Sequence, residues 1–321
     1  MIRKLLLGLA LVFVVALGAA AFYLASRQNL RFDAPYPLLP AGADSAQLAR
    51  GRYVVLELAS CGSCHGDPRL AEAYRRGEEV PLSGGRSWAI PPGTFYAPNL
   101  TPDRETGIGA IPDSAIARAL RYGVGHDGRA LMPFMVMQGL SDEDLAAAVA
   151  YLRVQPPVRN PIPAHRFSLL GMVVKATVLA SPVGPNTPPP AVSPRGATVE
   201  NGRYLVEAVV RCGGCHTQRD QRNGALIGAP LAGARGVEDS ESPGRSWSPP
   251  NITSGGRLAS MDEGAFLSRM RAGRAIPDSP MPWQAYERMD EDDLRAVYRY
   301  LVTVPASSQD VGPPVFGTRQ P

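Results

Sequence analysis

The chain has 321 residues, of which 45% are apolar, and this is enough for two domains that each bury a core. A disordered chain is thereby excluded. The formal net charge is +4, and the surplus of basic residues lies at Arg3, Lys4, Arg166 and Lys175, outside the globular segments defined below. We therefore expect no basic face for phosphates and no nucleic-acid partner.

The first element is an uncharged apolar segment from Leu5 to Ala25. As a helix it would be about 31 Å long, which is enough to cross a bilayer. Arg3 and Lys4 precede it, so the positive-inside rule leaves the N-terminus in the cytoplasm and sends the rest of the chain across the membrane. We predict a transmembrane anchor over residues 1–26, and a cleaved signal peptide is the alternative.

Composition divides the remainder into two globular units and their connections. The predicted segments are a tether (27–44), a first unit (45–157), a Pro-rich linker with an apolar helix (158–197), a second unit (198–305) and a loose C-terminal tail (306–321). The apolar part of the linker, Phe167–Ala180, has helical spacing. We expect it to pack between the two units or against a partner subunit.

The two units are copies of one another. Matched segments recur at a spacing of 149 to 152 residues: Gly51-Arg52-Tyr53 with Gly202-Arg203-Tyr204, Pro81–Arg86 with Pro230–Arg235, Pro98–Thr101 with Pro250–Thr253, and Tyr151-Leu152 with Tyr300-Leu301. The matched glycines and tyrosines predict a close crossing of the first and last helices in each unit.

Helical patterns dominate both units. Asp44 predicts the start of a helix that reaches Leu58, and Asp113 predicts a second helix. Ser141 to Asp144 is typical of a capping box before a third helix, and Asp290 is expected to cap its counterpart. Since no run alternates long enough for a strand, we predict an all-α fold.

All four cysteines lie in two copies of one pentapeptide, Cys61-Gly-Ser-Cys64-His65 and Cys212-Gly-Gly-Cys215-His216. This pattern is typical of c-type haem attachment, in which the two thiols bond to the haem and the histidine ligates its iron. A thioredoxin-like pair needs no histidine, a four-cysteine zinc site would leave both histidines unexplained, and two disulfides would close strained loops. We predict two covalently attached c-type haems, with His65 and His216 as the proximal ligands.

The repeat also predicts the sixth iron ligands. Met132 and Met281 each begin a Met-Pro-aromatic sequence at matched positions, and a thioether ligand raises the reduction potential. The other methionines, Met135 and Met137 among them, are interpreted as core residues. His126 and His165 have no counterpart in the other unit and are interpreted as surface or loop residues.

Four further repeated residues are candidate donors to the haem propionates, because buried carboxylates require hydrogen bonds. They are Arg86, Asn99, Arg235 and Asn251. The alternative is that these residues hold the loops in which they lie.

Several motifs of the first unit resemble the cytochrome c subunits of membrane-bound bacterial alcohol, gluconate and aldehyde dehydrogenases. They are the pentapeptide, Pro81–Arg86, Tyr96–Gly109, Met132–Phe134 and Leu140–Asp144. The resemblance implies two tandem cytochrome c domains on the periplasmic side of the bacterial inner membrane. It also implies that the chain relays electrons from a dehydrogenase subunit to the respiratory chain, through a quinone, a cytochrome or an oxidase.

The chain departs from this family in having two haem motifs rather than the usual three, and in lacking the Thr-Pro-Asp continuation after Thr253. Two other functions remain as alternatives. A dihaem enzyme of the peroxidase or thiosulfate dehydrogenase type is disfavoured by the absence of a spare cysteine and by the equivalent Met-Pro sequences. A dihaem subunit of a terminal oxidase is disfavoured by the long spacing between the pentapeptides.

Overall fold

The computed structural model describes residues 1–40, 42–134, 137–182, 184–220, 224–238, 245–276, 279–313 and 315–316. Helix α1 (Ile2–Ser26) is the predicted N-terminal helix, and no residue in it is buried. Within the described ranges it is the one helix that is long and apolar enough to cross a membrane.

The chain is mostly helical, as predicted. The first unit contains α2 (Ser45–Tyr53), α3 (Gly62–His65), α4 (Ala71–Arg75), α5 (Asp113–Tyr122) and α6 (Asp142–Val154). The linker contains α7 (Leu169–Thr177). The second unit contains α8 (Val199–Tyr204), α9 (Gly213–His216), α10 (Glu263–Arg271), α11 (Trp283–Tyr286) and α12 (Glu291–Leu301).

The predicted helix starts are confirmed in the first unit. The Asp44 carboxylate accepts a hydrogen bond from the Gln47 amide at 2.7 Å, and the Ser141 hydroxyl accepts one from the Asp144 amide at 2.9 Å. Asp290 lies at the N-cap of α12, but its side chain makes no capping hydrogen bond, so that expectation was wrong.

The prediction of an all-α fold was wrong, because each half of the chain also contains a small antiparallel sheet. The first sheet has the order β1 (Ser87–Ile90), β2 (Gly93–Tyr96), β3 (Arg166–Phe167), and the second has the order β4 (Val237–Glu238), β5 (Ser246–Trp247), β6 (Val315–Phe316). Ser87 pairs with Tyr96 and Gly93 with Phe167. Strands of two to four residues are too short to show an alternating pattern in the sequence.

The first and last helices of each unit cross at a glycine, as the repeat predicted. A Cβ atom on Gly51 would lie 2.0 Å from the Ala147 carbonyl oxygen of α6. A Cβ atom on Gly202 would lie 1.9 Å from the Ala296 carbonyl oxygen of α12. No side chain larger than hydrogen fits at either crossing, so the two glycines set the distance between the helices.

The two units also pack against each other through a pair of matched tyrosines. The Tyr53 hydroxyl donates to the Asp293 carboxylate at 2.9 Å and accepts from the Asp290 amide at 2.8 Å. The Tyr53 hydroxyl therefore provides a hydrogen-bond partner for the backbone amide at the N-cap of α12, where the Asp290 side chain makes no capping hydrogen bond.

Tyr204 makes the reciprocal contact. Its hydroxyl donates to the Asp144 carboxylate at 2.7 Å and accepts from the Ser141 amide at 3.0 Å, at the start of α6. Arg50 also binds Asp144 with two hydrogen bonds, of 2.7 and 2.8 Å. Burial opposes ionisation of this carboxyl, but Arg50 outweighs burial and holds the Asp144 pKa below its usual value. The two units thus meet in a pseudo-twofold arrangement, and their buried side chains form one apolar cluster.

The described part of the C-terminal segment is packed, so the prediction of a loose tail was wrong there. Val311 is buried, and the Asn251 amide donates to the Ser307 carbonyl at 2.7 Å. The tether likewise lies on the first unit, where the Phe32 amide donates to the Gly128 carbonyl at 2.8 Å.

Replacing either crossing glycine should prevent normal packing. Gly51→Ala and Gly202→Ala each place a methyl group so close to a backbone carbonyl oxygen that the two atoms overlap. We therefore expect a loss of about 3 kcal/mol or more in unfolding free energy. Gly264→Ala is the matched control, since Gly264 also lies in a helix and its nearest neighbour would be 3.5 Å away. Thermal unfolding followed by circular dichroism measures the difference. Equal midpoints for Gly51→Ala and Gly264→Ala would contradict the crossing.

The tyrosine contacts can be tested separately. Tyr53→Phe and Tyr204→Phe each remove a hydrogen bond to a carboxylate and one from a backbone amide, so we expect a loss of about 2 kcal/mol in each case. Tyr298→Phe is the control, because its hydroxyl makes one neutral bond, of 3.0 Å, to the Met261 carbonyl within the second unit. It should cost about 1 kcal/mol in chemical unfolding. Equal losses of unfolding free energy in all three variants would show that these bonds do not stabilise the interface.

Candidate haem sites

Both pentapeptide histidines lie in matched surroundings. The Nδ1 atom of His65 is 3.0 Å from the Pro98 carbonyl oxygen, and that of His216 is 2.8 Å from the Pro250 carbonyl oxygen. A ring that donates from Nδ1 keeps its Nε2 lone pair, and metal-binding histidines usually have such a second partner. Burial lowers the pKa of both rings and so favours the neutral form that binds iron.

A second matched hydrogen bond holds the histidine backbone. The Gly84 amide donates to the His65 carbonyl and the Gly233 amide to the His216 carbonyl, both at 2.8 Å. Gly84 has φ +71° and Gly233 has φ +86°, in the left-handed region that glycine tolerates. The repeated loops therefore converge on each histidine from two directions.

A tight turn leads into each pentapeptide. α2 continues as a π-helical turn over Val54–Leu58, and α8 does so over Leu205–Val209. Each turn is followed by a residue in the left-handed region, Ser60 at φ 49° and Arg211 at φ 59°. A non-glycine residue there costs about 1 kcal/mol or more, and such strain is common at functional sites. The turn reverses the chain so that the next residue is the first cysteine.

The cysteines of each pair differ in exposure. Cys61 and Cys212 are partly buried, whereas Cys64 and Cys215 are exposed. Burial, with a smaller contribution from the neighbouring cysteine, raises the pKa of Cys61 and Cys212 to about 12, so both remain thiols. A structural zinc site takes four converging ligands, and no three His, Cys, Asp or Glu side chains converge within the described residues. These pairs therefore fit covalent haem attachment better than a zinc site.

Met132 and Met281 lie in equivalent turns. The Phe134 amide donates to the Met132 carbonyl at 2.7 Å, and the Trp283 amide donates to the Met281 carbonyl at 2.8 Å. Both methionines are partly buried. Met137 packs against the core, as predicted, and Met135 lies outside the described residues.

The asparagines predicted as propionate donors brace loops. The Asn99 oxygen accepts from the Thr101 amide and hydroxyl at 2.9 and 2.7 Å, and its amide donates to the Val158 carbonyl and the Thr106 hydroxyl at 2.8 and 3.2 Å. Asn251 accepts the same two bonds from Thr253. Each asparagine directly follows the proline whose carbonyl binds the histidine ring, so it holds that carbonyl in place. The propionate role stays a prediction.

The two arginines of the repeat have different surroundings. Arg86 donates to the Ser63 carbonyl inside the first pentapeptide, whereas Arg235 donates to the Asp310 carbonyl at 2.9 Å. In the second unit, Arg219 takes the place of Arg86 and donates to the Gly214 carbonyl at 3.1 and 2.9 Å. The repeat pairs Ser63 with Gly214 but gives no signal for Arg219, which lies in a different loop.

His126 and His165 are exposed, as predicted. The Nδ1 atom of His165 accepts a hydrogen bond from the Tyr96 amide at 3.3 Å, and its ring lies 5.5 Å from that of Phe95. Neither histidine lies on a repeated element.

Sequence comparison identifies known proteins that this chain resembles. A family model described as cytochrome c oxidase, cbb3-type, subunit III, matches residues 46–152. A dihaem c-type cytochrome of Cereibacter sphaeroides is 28% identical over 95% of this chain and 99% of its own length. The first unit thus matches a cytochrome family model, and the chain resembles a dihaem c-type cytochrome over nearly its whole length. The chain carries covalently bound c-type haems, as predicted.

Two further relatives of this chain confirm its resemblance to the cytochrome subunits of dehydrogenases. The fructose dehydrogenase cytochrome subunit of Gluconobacter japonicus is 29% identical over 88% of this chain and 57% of its own length. The cytochrome c subunit of the quinone-type alcohol dehydrogenase of Gluconobacter oxydans is 31% identical over 82% and 56%. The chain thus spans a little over half the length of these two proteins.

The bracing role of Asn99 leads to a test. Asn99→Ala leaves the Thr101 amide without its partner and the Val158 carbonyl with only the 3.2 Å bond from the Thr101 hydroxyl, so we expect a loss of about 2–4 kcal/mol in unfolding free energy. Thr303→Val is the control, because the Thr303 hydroxyl makes one hydrogen bond, of 2.7 Å, to the Tyr300 carbonyl, outside this loop. Chemical unfolding measures the loss, and redox titration measures the potential of the first haem. A shifted potential with unchanged stability would instead support the propionate role.

Proposed function

We propose that this protein is a membrane-anchored dihaem cytochrome c that carries electrons on the periplasmic side of the bacterial inner membrane. The observation that supports it best is the duplicated histidine environment. Two pentapeptides lead into imidazoles, His65 buried and His216 partly buried, that donate from Nδ1 to matched proline carbonyls. Two equivalent sites in one chain fit a relay better than a single reactive centre.

The proposed attachment follows the residues of each pentapeptide. Cys61 and Cys64 bind the first haem, Cys212 and Cys215 bind the second, and His65 and His216 are the proximal ligands. When bound, each haem supplies a one-electron couple. The chain contributes neutral imidazoles held by the Pro98 and Pro250 carbonyls, which fix the direction of each Nε2 lone pair.

Met132 and Met281 are the proposed distal ligands. Their turns are equivalent, and their thioethers favour the reduced iron and raise the potential of both sites. We assign residues 45–157 and 198–305 to two tandem cytochrome c domains, since both contain the crossing glycine, the π-helical turn and the bound histidine.

α1 is the proposed anchor. It is uncharged from Leu5 onward, none of it is buried, and Arg3 and Lys4 lie in its first turn. The printed names of the relatives include cytochrome subunits of fructose and alcohol dehydrogenases. We therefore propose a dehydrogenase subunit as the electron donor. The acceptor we propose is a component of the respiratory chain: a quinone, a cytochrome or an oxidase.

Optical spectra of the purified haem-loaded chain test the ligands. We expect two c-type haems per chain by pyridine haemochrome, and an oxidised spectrum with the weak near-infrared band of an iron–methionine bond. Met132→Ala and Met281→Ala should each remove about half of that band, because each takes one thioether from one iron. Met137→Leu, at a methionine three residues after Phe134, is the matched control and should keep the whole band.

Other spectra would reject this assignment. A high-spin ferric signal in the unsubstituted chain indicates an open iron site and therefore an enzyme. A spectrum typical of bis-histidine ligation would indicate that His126 or His165 is a distal ligand.

The match of residues 46–152 favours a second candidate, a dihaem subunit of a terminal oxidase. Isolation of the protein from gently solubilised membranes distinguishes the two candidate functions. Copurification with a copper-containing oxidase identifies an oxidase subunit, and copurification with a dehydrogenase supports the first proposal.

A further inference from the structure

Helix α7 presents an apolar surface to solvent. Leu169 is 83% exposed and Leu170 51%, and Val178, the residue directly after α7, is 55% exposed. The opposite side of the same segment, with Gly171 and Ala176, is buried. The expectation that this segment packs between the two units was wrong, because its contacts are with the first sheet and with α1. A group of large, exposed apolar side chains indicates a surface that contacts a membrane or another protein.

The N-terminal end of α7 is fixed to the first unit. The Ser168 hydroxyl caps the helix by accepting from the Gly171 amide at 3.1 Å, and the Ser168 amide donates to the Pro92 carbonyl at 3.0 Å. A Cβ atom on Gly171 would lie 2.0 Å from that same carbonyl oxygen. α7 therefore packs directly on the turn between β1 and β2, and its apolar face is left on the outer side.

The C-terminal end of α7 is fixed to the end of the proposed anchor. The Arg27 Nε atom donates to the Ala176 carbonyl at 2.9 Å, and the Gln28 amide donates to the Met172 carbonyl at 2.9 Å. Both residues directly follow α1. The Arg27 guanidinium also lies 4.9 Å from the centre of the Tyr23 ring. Tyrosine and basic side chains are typical of the boundary between lipid and water, so α7 lies at the level where α1 leaves the bilayer.

The charges around α7 complement an anionic lipid surface. Lys175 of α7 lies 4.9 Å above the ring of Phe167, Arg166 precedes Phe167 in β3, and Arg27 donates to the Ala176 carbonyl of α7. Three of the few basic residues outside the two units therefore collect beside this one apolar helix. Apolar residues on one face with basic residues at its edges are typical of helices that lie in the membrane interface.

We propose that α7 lies in the periplasmic membrane–water interface, with Leu169, Leu170 and Val178 in the lipid. This rests on the proposed anchoring of α1. The first unit is then held against the bilayer at two points, α1 and α7, and cannot swing freely on its tether. The ring of Phe134 is 57% exposed and lies 5.6 Å from Phe95, which in turn lies 5.3 Å from Phe167. The turn that carries Met132 is therefore linked through two aromatic contacts to Phe167, just before α7.

Thiol labelling in vesicles tests this placement. We would reconstitute the purified full-length haem-loaded chain, without a partner subunit, into phosphatidylethanolamine–phosphatidylglycerol vesicles as Leu169→Cys or Val302→Cys. Val302 is 41% exposed at the end of α12, so by protein exposure alone Leu169→Cys should label faster. Both positions follow α1 and lie on the same side of the bilayer. The unsubstituted chain, whose cysteines are bound to haem, gives the background.

We expect a charged, impermeant maleimide to label Leu169→Cys about tenfold more slowly than Val302→Cys, because lipid excludes the reagent and suppresses thiolate formation. Equal or faster labelling of Leu169→Cys in a chain that resists carbonate extraction overturns the placement of α7 but leaves the anchor intact. Release of the chain by carbonate overturns the anchor itself. Protection that disappears when the protein is diluted in lipid overturns the proposal in favour of a second copy of the chain.

Discussion

In each unit the first and last helices approach so closely that a methyl group at Gly51 or Gly202 would overlap a backbone carbonyl. This crossing fixes the direction in which α2 and α8 run toward the pentapeptides. The π-helical turns and the left-handed residues Ser60 and Arg211 then reverse the chain at the same distance from each crossing. The histidine positions therefore depend on how these helices pack.

The same helices join the two units. Tyr53 and Tyr204 follow the crossing glycines by two residues. Each hydroxyl donates a hydrogen bond to a carboxylate and accepts one from a backbone amide at the start of the other unit's last helix. One short sequence thus serves two purposes, close packing within a unit and a polar contact between units. Because a buried, charge-assisted hydrogen bond is sensitive to distance, these contacts favour a fixed relation between the two proposed haem sites. A relay benefits from such a relation, since electron tunnelling also depends on distance.

The segments around the proposed sites are local in sequence, whereas parts of the fold are not. The pentapeptides, the Pro-Leu-x-Gly loops and the Pro-Asn-x-Thr segments are each short, and their repetition shows which residues belong together. In the structure these segments converge on His65 and His216, and the haem ligands stay a prediction. The two small sheets were missed because strands of two to four residues have no period, and one strand of each sheet comes from a distant part of the chain. Arg219 was missed because it replaces Arg86 from a different loop, so alignment of the units cannot find it.

The sequence by itself determined the class of cofactor, the number of sites and the presence of one long apolar helix, because covalent haem attachment and bilayer crossing each need a fixed local pattern. Only the tertiary structure decided how the units face each other, what Asn99 and Asn251 hold, and where α7 lies. Those outcomes depend on hydrogen bonds between residues that are 50 to 240 positions apart, such as Asn99 with Val158 and Tyr53 with Asp293. Such pairs leave no local pattern, since each partner alone is an ordinary polar residue or a backbone carbonyl.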